Sequence, residues 1–211
     1  MPSLIEKIFP HCCVSCSSTG PLFCSNCQNN IDFLYFEPQL TPLEKYSINL
    51  KIVGLYNPPL STAIKAYKYQ GLYKIAPIFA ELLYKHLIFD KNIDIITSVP
   101  LHPTKKRLRG FDQTKLIAKE LTNKISKPYH QLLTKTKHTQ NLASTNNQKF
   151  RSKLTNKNFK LKKENQHKIA GKHILLIDDV VTTGHTLSAC LGQIFLAKPS
   201  QVTVMAIAHQ G

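Results

Sequence analysis

The segment from Ile174 to Leu196 constrains the fold of this chain more than any other. Four consecutive apolar residues, Ile174 to Ile177, show no polar alternation, which is typical of a strand buried on both faces of a parallel sheet. Asp178 and Asp179 follow at once, and small and hydroxyl residues then lead into an apolar helical stretch from Thr186. Because ligands of open parallel sheets bind beyond the carboxyl ends of the strands, this segment predicts an α/β fold with a binding site there.

Other stretches repeat the same alternation of strands and helices. Strands are predicted at 51–56, 93–99, 173–177 and 202–208, and helices at 61–70, 75–89, 112–125 and 186–196. The polar segment 141–168 is predicted to be a long loop with short elements. The 211 residues are enough for one core and a small appendage. No apolar run approaches the length of a membrane span, and the N-terminus lacks the pattern of a signal peptide, so we expect a cytoplasmic protein.

The loop after the strand contains the groups that bind a phosphate. Its backbone N–H groups and the following helix N-terminus favour an anion, and Gly184 allows close approach of the backbone. The hydroxyls of Thr182, Thr183 and Thr186 can donate further hydrogen bonds. The acid pair would repel phosphate, so its expected partners are sugar hydroxyls or Mg²⁺. Together these groups predict a ribose 5-phosphate site, and the alternative is an acidic turn with threonine caps on an ordinary helix.

Five of the six cysteines lie between Cys12 and Cys27. Four of them form two pairs, each with two intervening residues, the spacing at which one turn presents two thiolates to one metal ion. Four thiolates complete the tetrahedron of Zn²⁺ and leave no position for a substrate, so the predicted site is structural. Disulfides are the alternative, and the missing export signal argues against them. The sixth cysteine, Cys190, is predicted to be a core residue. The predicted zinc ligands are Cys13, Cys16, Cys24 and Cys27.

Basic residues are concentrated in the middle third of the chain. The sequence has 28 Lys and Arg against 12 Asp and Glu, for a formal net charge of +16. Residues 102–172 contain nineteen of these basic residues and three of the acids. Such an excess attracts polyanions and favours phosphate contacts through counterion release. Nucleic-acid binding is therefore one hypothesis, and a solvated basic face of a lysine-rich chain is the other.

Several motifs together resemble those of known families. Residues 175–184 resemble the phosphoribosyl diphosphate (PRPP) motif of type I phosphoribosyltransferases, and the whole chain is similar to the ComF family of competence proteins. Besides the cysteine pairs, residues 65–71, 99–103, 107–113 and 139–142 contribute to this resemblance. It implies a type I phosphoribosyltransferase-like parallel sheet flanked by helices over residues 39–211, after a zinc-finger module and connector over residues 1–38. The implied PRPP-binding residues are Asp178, Asp179, Val180, Val181, Thr182, Thr183, Gly184, His185 and Thr186.

The resemblance also implies a role in natural transformation, in which single-stranded DNA is handled as it enters the cytoplasm. A helicase-like ATPase is the implied partner, and Mg²⁺ would accompany PRPP. The basic surface also suits peripheral association with anionic lipids of the inner membrane. Four aromatic residues beside cations, Tyr67, Tyr69, Tyr73 and Phe111, are either base-stacking residues or core residues. Candidate contacts to diphosphate or DNA are Lys65, Lys68, His102, Lys105, Lys106, Arg107 and Arg109.

Two functional hypotheses follow. In the first, the protein is a competence factor that handles DNA and binds PRPP as a structural or regulatory ligand. In the second, it is an active phosphoribosyltransferase in nucleotide salvage or in modification of an uptake component. The sequence shows no pocket for a purine or pyrimidine, so neither the acceptor nor a catalytic residue is assigned.

Overall fold

The computed structural model describes residues 12–35, 37–87, 92–136 and 158–211. Within these ranges the strands are β1 (Asn49–Leu55), β2 (Ile95–Ser98), β3 (Leu133–Lys135), β4 (Phe159–Leu161), β5 (His173–Val181) and β6 (Gln201–His209). The helices are α1 (Ser25–Asn29), α2 (Leu60–Tyr69), α3 (Ala76–His86), α4 (Pro103–Arg109), α5 (Gln113–Ile125), α6 (Gln166–Ile169) and α7 (His185–Phe195). Short 3₁₀ turns at Tyr73–Ile75 and Lys163–Asn165 precede α3 and α6.

A four-stranded parallel sheet with the order β1-β6-β5-β2 forms the centre of the fold. The parallel sheet and the flanking helices confirm the predicted α/β class. β5 pairs with β6 up to Val181 and His209, whereas β2 pairs with β5 only as far as Ser98 and Ile177. The end of β5 therefore extends beyond β2 and leaves one of its edges open. Because parallel strands end at the same side of a sheet, this open edge adjoins the loop that follows β2.

Apolar side chains cover both faces of the sheet, as the uninterrupted apolar strands require. On one face Leu175 and Ile177 pack in a core with α2, α3 and α5. On the other face Ile174 and Leu176 pack in a second core with α7 and the β3–β4 hairpin. Cys190 of α7 is fully buried in this second core, which confirms its predicted structural role.

The cysteine-rich segment docks on the edge of the sheet beside β1. Phe23 is fully buried in the core that also holds α2 and α3. Beside β1, the Leu34 N–H donates to the Val53 carbonyl at 3.0 Å, and the Leu55 N–H donates to the Asp32 carbonyl at 2.8 Å. Between them lies Gly54, where an added Cβ would approach the Asp32 carbonyl oxygen to 2.7 Å, so this contact requires glycine. The module and the sheet thus share one core.

The structure differs from the sequence prediction at three places. β5 continues through Val181, four residues past the predicted end, because β6 accompanies it that far. α4 was not predicted, and neither was the β3–β4 hairpin. Of the predicted loop 141–168, the described residues from 158 onward form β4, a 3₁₀ turn and α6, whereas the rest, like the motif at 139–142, lies outside the described residues. No helix in the described ranges is long and apolar enough to cross a membrane.

Candidate functional site

The acid pair lies within the last four residues of β5 and is largely buried. Asp178 and Asp179 are each 7% exposed. The Asp179 N–H donates to Asp178 Oδ1 at 2.8 Å. Burial, followed by the neighbouring charge of Asp179, raises the pKa of Asp178 to about 7. A buried carboxyl of this kind exchanges a proton near neutral pH, unlike the aspartates of a solvated turn.

The two carboxylates point to opposite sides of β5, which the sequence did not predict. Asp179 Oδ1 accepts a hydrogen bond from Lys68 Nζ of α2 at 2.7 Å, so this carboxylate faces the α2 side of the sheet. Asp178 instead lies within electrostatic reach of Lys135 in β3 and of the buried Cys190. Among the described residues, no hydrogen-bond partner reaches the second oxygen of Asp179, Oδ2, although it is buried. That oxygen can therefore accept a hydrogen bond from a ligand hydroxyl or coordinate a cation.

The loop between β5 and α7 presents hydroxyls and helical N–H groups to solvent. Thr182, Thr183 and Thr186 are exposed, and Thr183 Oγ1 lies 2.8 Å from His185 Nδ1. Gly184 caps α7 with φ +76°, and no side chain caps the start of this eleven-residue helix. The free N–H groups of its first turn therefore remain available to an anion.

The backbone of this loop rests on segment 40–46, which precedes β1 in the chain. A Cβ added at Gly184 would lie 3.2 Å from Leu43 Cγ and 3.4 Å from Leu40 Cβ. The Tyr46 hydroxyl donates to the Ser188 carbonyl in the first turn of α7 at 3.0 Å. Segment 40–46 thus fixes one side of the loop. The other side of the loop, which carries the hydroxyls, is left for a ligand.

A cationic cleft opens beside the acid pair, between the C-terminal ends of α2 and α4. Its volume is about 720 Å³. Lys105 and Arg109, one helical turn apart on α4, face the end of α2, and the Arg109 guanidinium lies over the Tyr69 ring at 5.2 Å from the centroid. The cleft is lined by Lys68, Tyr69, Gln70, Gly71, Lys105, Leu108 and Arg109. It joins the acid pair through Lys68.

The structure brings together some of the predicted basic residues and separates others. Lys68, Lys105 and Arg109 line the cleft, whereas Lys65 is exposed and is not among its lining residues. Lys106 and Arg107 are exposed on the outer face of α4.

His102 caps the start of α4, where its Nδ1 accepts the Thr104 N–H at 3.2 Å. This histidine, predicted as a diphosphate or DNA contact, thus caps α4 and is not among the residues that line the cleft.

One of the predicted stacking aromatics is a core residue. Tyr67 is fully buried, and its hydroxyl donates to the Gln113 carbonyl at 2.9 Å, so of the two alternatives for this residue the structure favours the core. Phe111 is partly buried and packs on the Tyr67 ring at 5.1 Å between centroids. Tyr69 and Tyr73 are 72% and 57% exposed, and only Tyr69 lines the cleft.

Two features of the site were missed from the sequence. Lys135 is half-buried, and its ammonium lies 5.2 Å from the centroid of the Phe159 ring. Burial, followed by the charge of Lys105, lowers the pKa of Lys135. The three-residue strands β3 and β4 are too short to give a pattern that would have located this lysine. α4 did have a signal, because proline at its first position and Gly110 after its last are typical helix boundaries.

The four predicted zinc ligands converge on one point. Their sulfurs all lie within 4.8 Å of one another, and the Cys13–Cys27 and Cys16–Cys24 pairs are each 3.7 Å apart. Thiolates about 2.3 Å from a central Zn²⁺ form a tetrahedron with sulfur–sulfur edges of about 3.8 Å, so the spacing fits this ion. Burial acts to raise the pKa of Cys13, but hydrogen bonds led by the Cys24 N–H outweigh it and lower the pKa to about 6, which favours the thiolate.

Comparisons with known proteins agree with this geometry. The phosphoribosyl transferase domain family matches residues 115–210, which include β5, the threonine loop and α7. Competence protein F of Haemophilus influenzae is 28% identical over 86% of this chain and 77% of its own length. Competence protein ComFC of Streptococcus pneumoniae is 26% identical over 83% of this chain and 77% of its own length. The DNA utilization protein YhgH of Escherichia coli is 30% identical, and the match spans 66% of this chain and 62% of that protein.

Among solved structures, an allosteric regulatory enzyme of purine biosynthesis superposes with a TM-score of 0.45 at 16% identity, over 64% of this chain and 25% of the enzyme. Two of these relatives are named competence proteins, and the third is named a DNA utilization protein. The chain is therefore similar in sequence to competence and DNA utilization proteins, and its residues 115–210 match the phosphoribosyl transferase domain family.

Proposed function

We propose that this protein binds a ribose 5-phosphate ligand such as PRPP at the end of β5 and takes part in handling single-stranded DNA during natural transformation. The observation that carries the proposal is the exposed threonine loop at the start of α7, directly after a buried acid with an unpaired oxygen. The names of the competence and DNA utilization relatives support the DNA part.

The threonine loop supplies the phosphate end of the ligand site. The N–H groups of the first turn of α7 and the hydroxyls of Thr182, Thr183 and Thr186 all offer donors to one oxyanion. The contact of His185 with Thr183 orients that hydroxyl. A doubly charged 5-phosphate is the ligand group that satisfies so many donors at once.

The acid pair supplies the sugar end of the site. Asp179 Oδ2 is the buried acceptor that a ribose hydroxyl would fill, and Lys68 holds the same carboxylate in place through Oδ1. Mg²⁺ is a second possible occupant, because carboxylate oxygens are its usual protein ligands and the ion would arrive with the diphosphate. Lys68, Lys105 and Arg109 would then face the diphosphate from the cleft.

The DNA part of the proposal depends on the basic face of α4. Lys106 and Arg107 are exposed on its outer side, and Lys105 and Arg109 line the cleft, so a phosphate backbone can contact the helix from two sides. Such contacts make binding steeply dependent on salt. The helicase-like partner, the cytoplasmic location and the peripheral membrane association stay predictions.

Calorimetric titration with PRPP and Mg²⁺ tests the ligand site. We expect Asp179→Asn to weaken PRPP binding at least tenfold and to change the binding of inorganic phosphate much less, because Asp179 faces the sugar. Thr183→Val should weaken both ligands. The matched controls are Asp94→Asn and Thr122→Val, which alter an acid and a threonine outside the site. The proposal would be refuted if the wild-type protein did not bind PRPP, or if the site variants bound PRPP with the same affinity as the controls.

DNA binding is tested separately by fluorescence anisotropy with a labelled single strand at several salt concentrations. Replacing Lys105, Lys106, Arg107 and Arg109 with alanine should weaken binding and flatten its salt dependence. The matched control replaces lysines on other helices, Lys85 and Lys119. If both sets of variants bind equally, α4 is not the DNA contact.

A second function, active phosphoribosyl transfer, is favoured by one observation. Asp178 has a pKa of about 7, which suits a group that accepts or donates a proton at neutral pH. In such a reaction the bond from ribose C1 to diphosphate breaks, the acceptor bonds to C1, and the acceptor's proton is released. Labelled PRPP offered with free bases, with and without single-stranded DNA, would distinguish the two functions. Diphosphate release with a ribosylated product supports transfer, and binding without turnover supports a ligand-binding role.

A further inference from the structure

The cationic cleft contains two exposed apolar side chains. Tyr69, the last residue of α2, is 72% exposed, and Leu108 of α4 is 82% exposed. The Arg109 guanidinium lies 5.2 Å from the Tyr69 ring centroid, and the exposed fraction shows that most of the ring remains accessible. A flat aromatic ring, a guanidinium plane and an aliphatic side chain flanked by lysines form a surface suited to a planar ligand that carries negative charge.

We infer that this cleft binds an unpaired nucleobase of single-stranded DNA, stacked on the Tyr69–Arg109 pair, with the flanking phosphates on Lys68 and Lys105. The inference rests on the proposed function and names the part of the DNA that the protein contacts. A base inside a duplex has both faces covered by its neighbours, so a stacking surface selects single strands. Leu108 would contact the edge or the other face of the same base.

The size and shape of the cleft fit this occupant. Its volume of about 720 Å³ lies within the range of roughly 300–1,000 Å³ that small-molecule sites occupy. Two helix ends build its walls, because α2 ends at Tyr69 and α4 ends before Gly110. Gly71 and Gly110 have φ values of +69° and +79°, so both chains turn away sharply and leave the space between them open.

The charges of the cleft favour a phosphate-bearing base over a neutral aromatic ligand. Burial, followed by the charges of Arg109 and Lys68, lowers the pKa of Lys105. These cations therefore repel one another in the free protein, and a nearby phosphate would relieve that repulsion. Lys68 also bonds to Asp179, so the base site adjoins the ribose-phosphate site, and the two sites share Lys68, Lys105 and Arg109.

The experiment compares an oligothymidine with an abasic strand of the same length and number of phosphates. Anisotropy should show that wild-type protein binds the oligothymidine about tenfold more tightly than the abasic strand, the contribution expected of one stacked base. Tyr69→Ala should remove this difference, and Tyr69→Phe should keep it because the ring is retained. Tyr84→Ala, which removes an exposed tyrosine on α3, is the matched control and should leave the difference unchanged.

Salt dependence separates stacking from charge. Tyr69→Ala should lower affinity for the oligothymidine without changing the slope against salt, whereas Lys105→Glu should reduce the slope. Equal affinities of wild-type protein for the two strands, or a slope change in Tyr69→Ala, would overturn the inference. Duplex DNA binding as tightly as the single strand would overturn it as well.

Two outcomes distinguish this inference from the proposed function. If PRPP binds and DNA binds without any preference for bases, the proposed function stands and the base site is refuted. If neither PRPP nor DNA binds, the proposed function itself fails. Titration with free thymine and thymidine monophosphate identifies the source of the base. A free base that binds as tightly as the oligothymidine would make the cleft a small-molecule site and would overturn the DNA assignment.

Discussion

Replacing Asp178 with asparagine should stabilise the protein at alkaline pH. The substitution keeps the shape of the side chain, and the asparagine Oδ1 can still accept the Asp179 N–H that Asp178 accepts at 2.8 Å. It removes only the buried negative charge. Since burial raises the pKa of Asp178 from its ordinary value of 3.8 to about 7, ionising this group opposes folding.

The magnitude follows from these two pKa values. Each tenfold change in proton affinity is worth about 1.36 kcal/mol, so the cost of the charge above pH 7 is at most about 4 kcal/mol. A carboxyl with a raised pKa in the fold contributes no penalty below pH 3.8, and the protein loses stability as the pH rises towards 7. The stability advantage of Asp178→Asn should therefore grow by about 3 kcal/mol between pH 5 and pH 8.

Urea unfolding of both proteins at pH 5 and pH 8, with Zn²⁺ present, measures this difference. Contributions of the cysteine site cancel in the comparison, because both proteins contain it. A thermal scan at pH 8 should show a melting temperature of the variant about 8–16 °C above that of the wild type, because about 4 kcal/mol shifts the melting temperature by about that much in a chain of this length.

Asp94→Asn is the control of opposite sign, because the His173 N–H and then Lys172 lower the pKa of Asp94, and its loss should destabilise the protein at pH 8. The reasoning is refuted if Asp178→Asn is no more stable than the wild type at pH 8, or if its advantage does not depend on pH.

Three further outcomes are expected. Phe23→Ala should lower the free energy of unfolding by about 3–5 kcal/mol in a urea titration, because it opens a cavity where the cysteine module meets the sheet, and Phe23→Leu should recover much of that loss. Cys24→Ser should abolish binding of one Zn²⁺ per chain in a metal assay and lower the melting temperature, whereas Cys12→Ser, outside the cluster, should retain the metal. Gly184→Ala should weaken phosphate binding at least tenfold and cost about 1–2 kcal/mol of stability, because φ is +76° and the new Cβ meets Leu43. A variant with wild-type affinity would show that the loop does not bind phosphate.

The cysteine cluster and the threonine loop were predictable because their groups are close in sequence. Two cysteines separated by two residues approach one another in a single turn, whatever the rest of the chain does. Likewise, the apolar run before Asp178 indicates a buried strand, and Gly184 followed by an apolar helical stretch indicates a strand-to-helix loop. The structure confirms the convergence of the four cysteines and the position of this loop.

The lysines near the acid pair were harder to predict because they lie far from Asp178 and Asp179 in the sequence. Lys68 is separated from Asp179 by 111 positions. Lys65, one helical turn earlier, was predicted as a candidate on the same grounds. The helical turn of α2 decides between them, since it directs Lys68 towards β5 and leaves Lys65 in solvent. Lys135 acts on Asp178 electrostatically from β3, a strand of three residues that is too short to show a sequence pattern.

The sequence by itself determined the α/β class, the grouping of the four cysteines and the threonine loop after the buried strand, because local spacing and hydrophobic pattern decide each of them. Only the tertiary structure decided which cations face the acids, that Tyr67 is buried while Tyr69 is exposed, and that a cleft lies between α2 and α4. The physical reason is the order of the strands: β5 extends beyond β2, and helices distant in sequence meet at the edge that this leaves open.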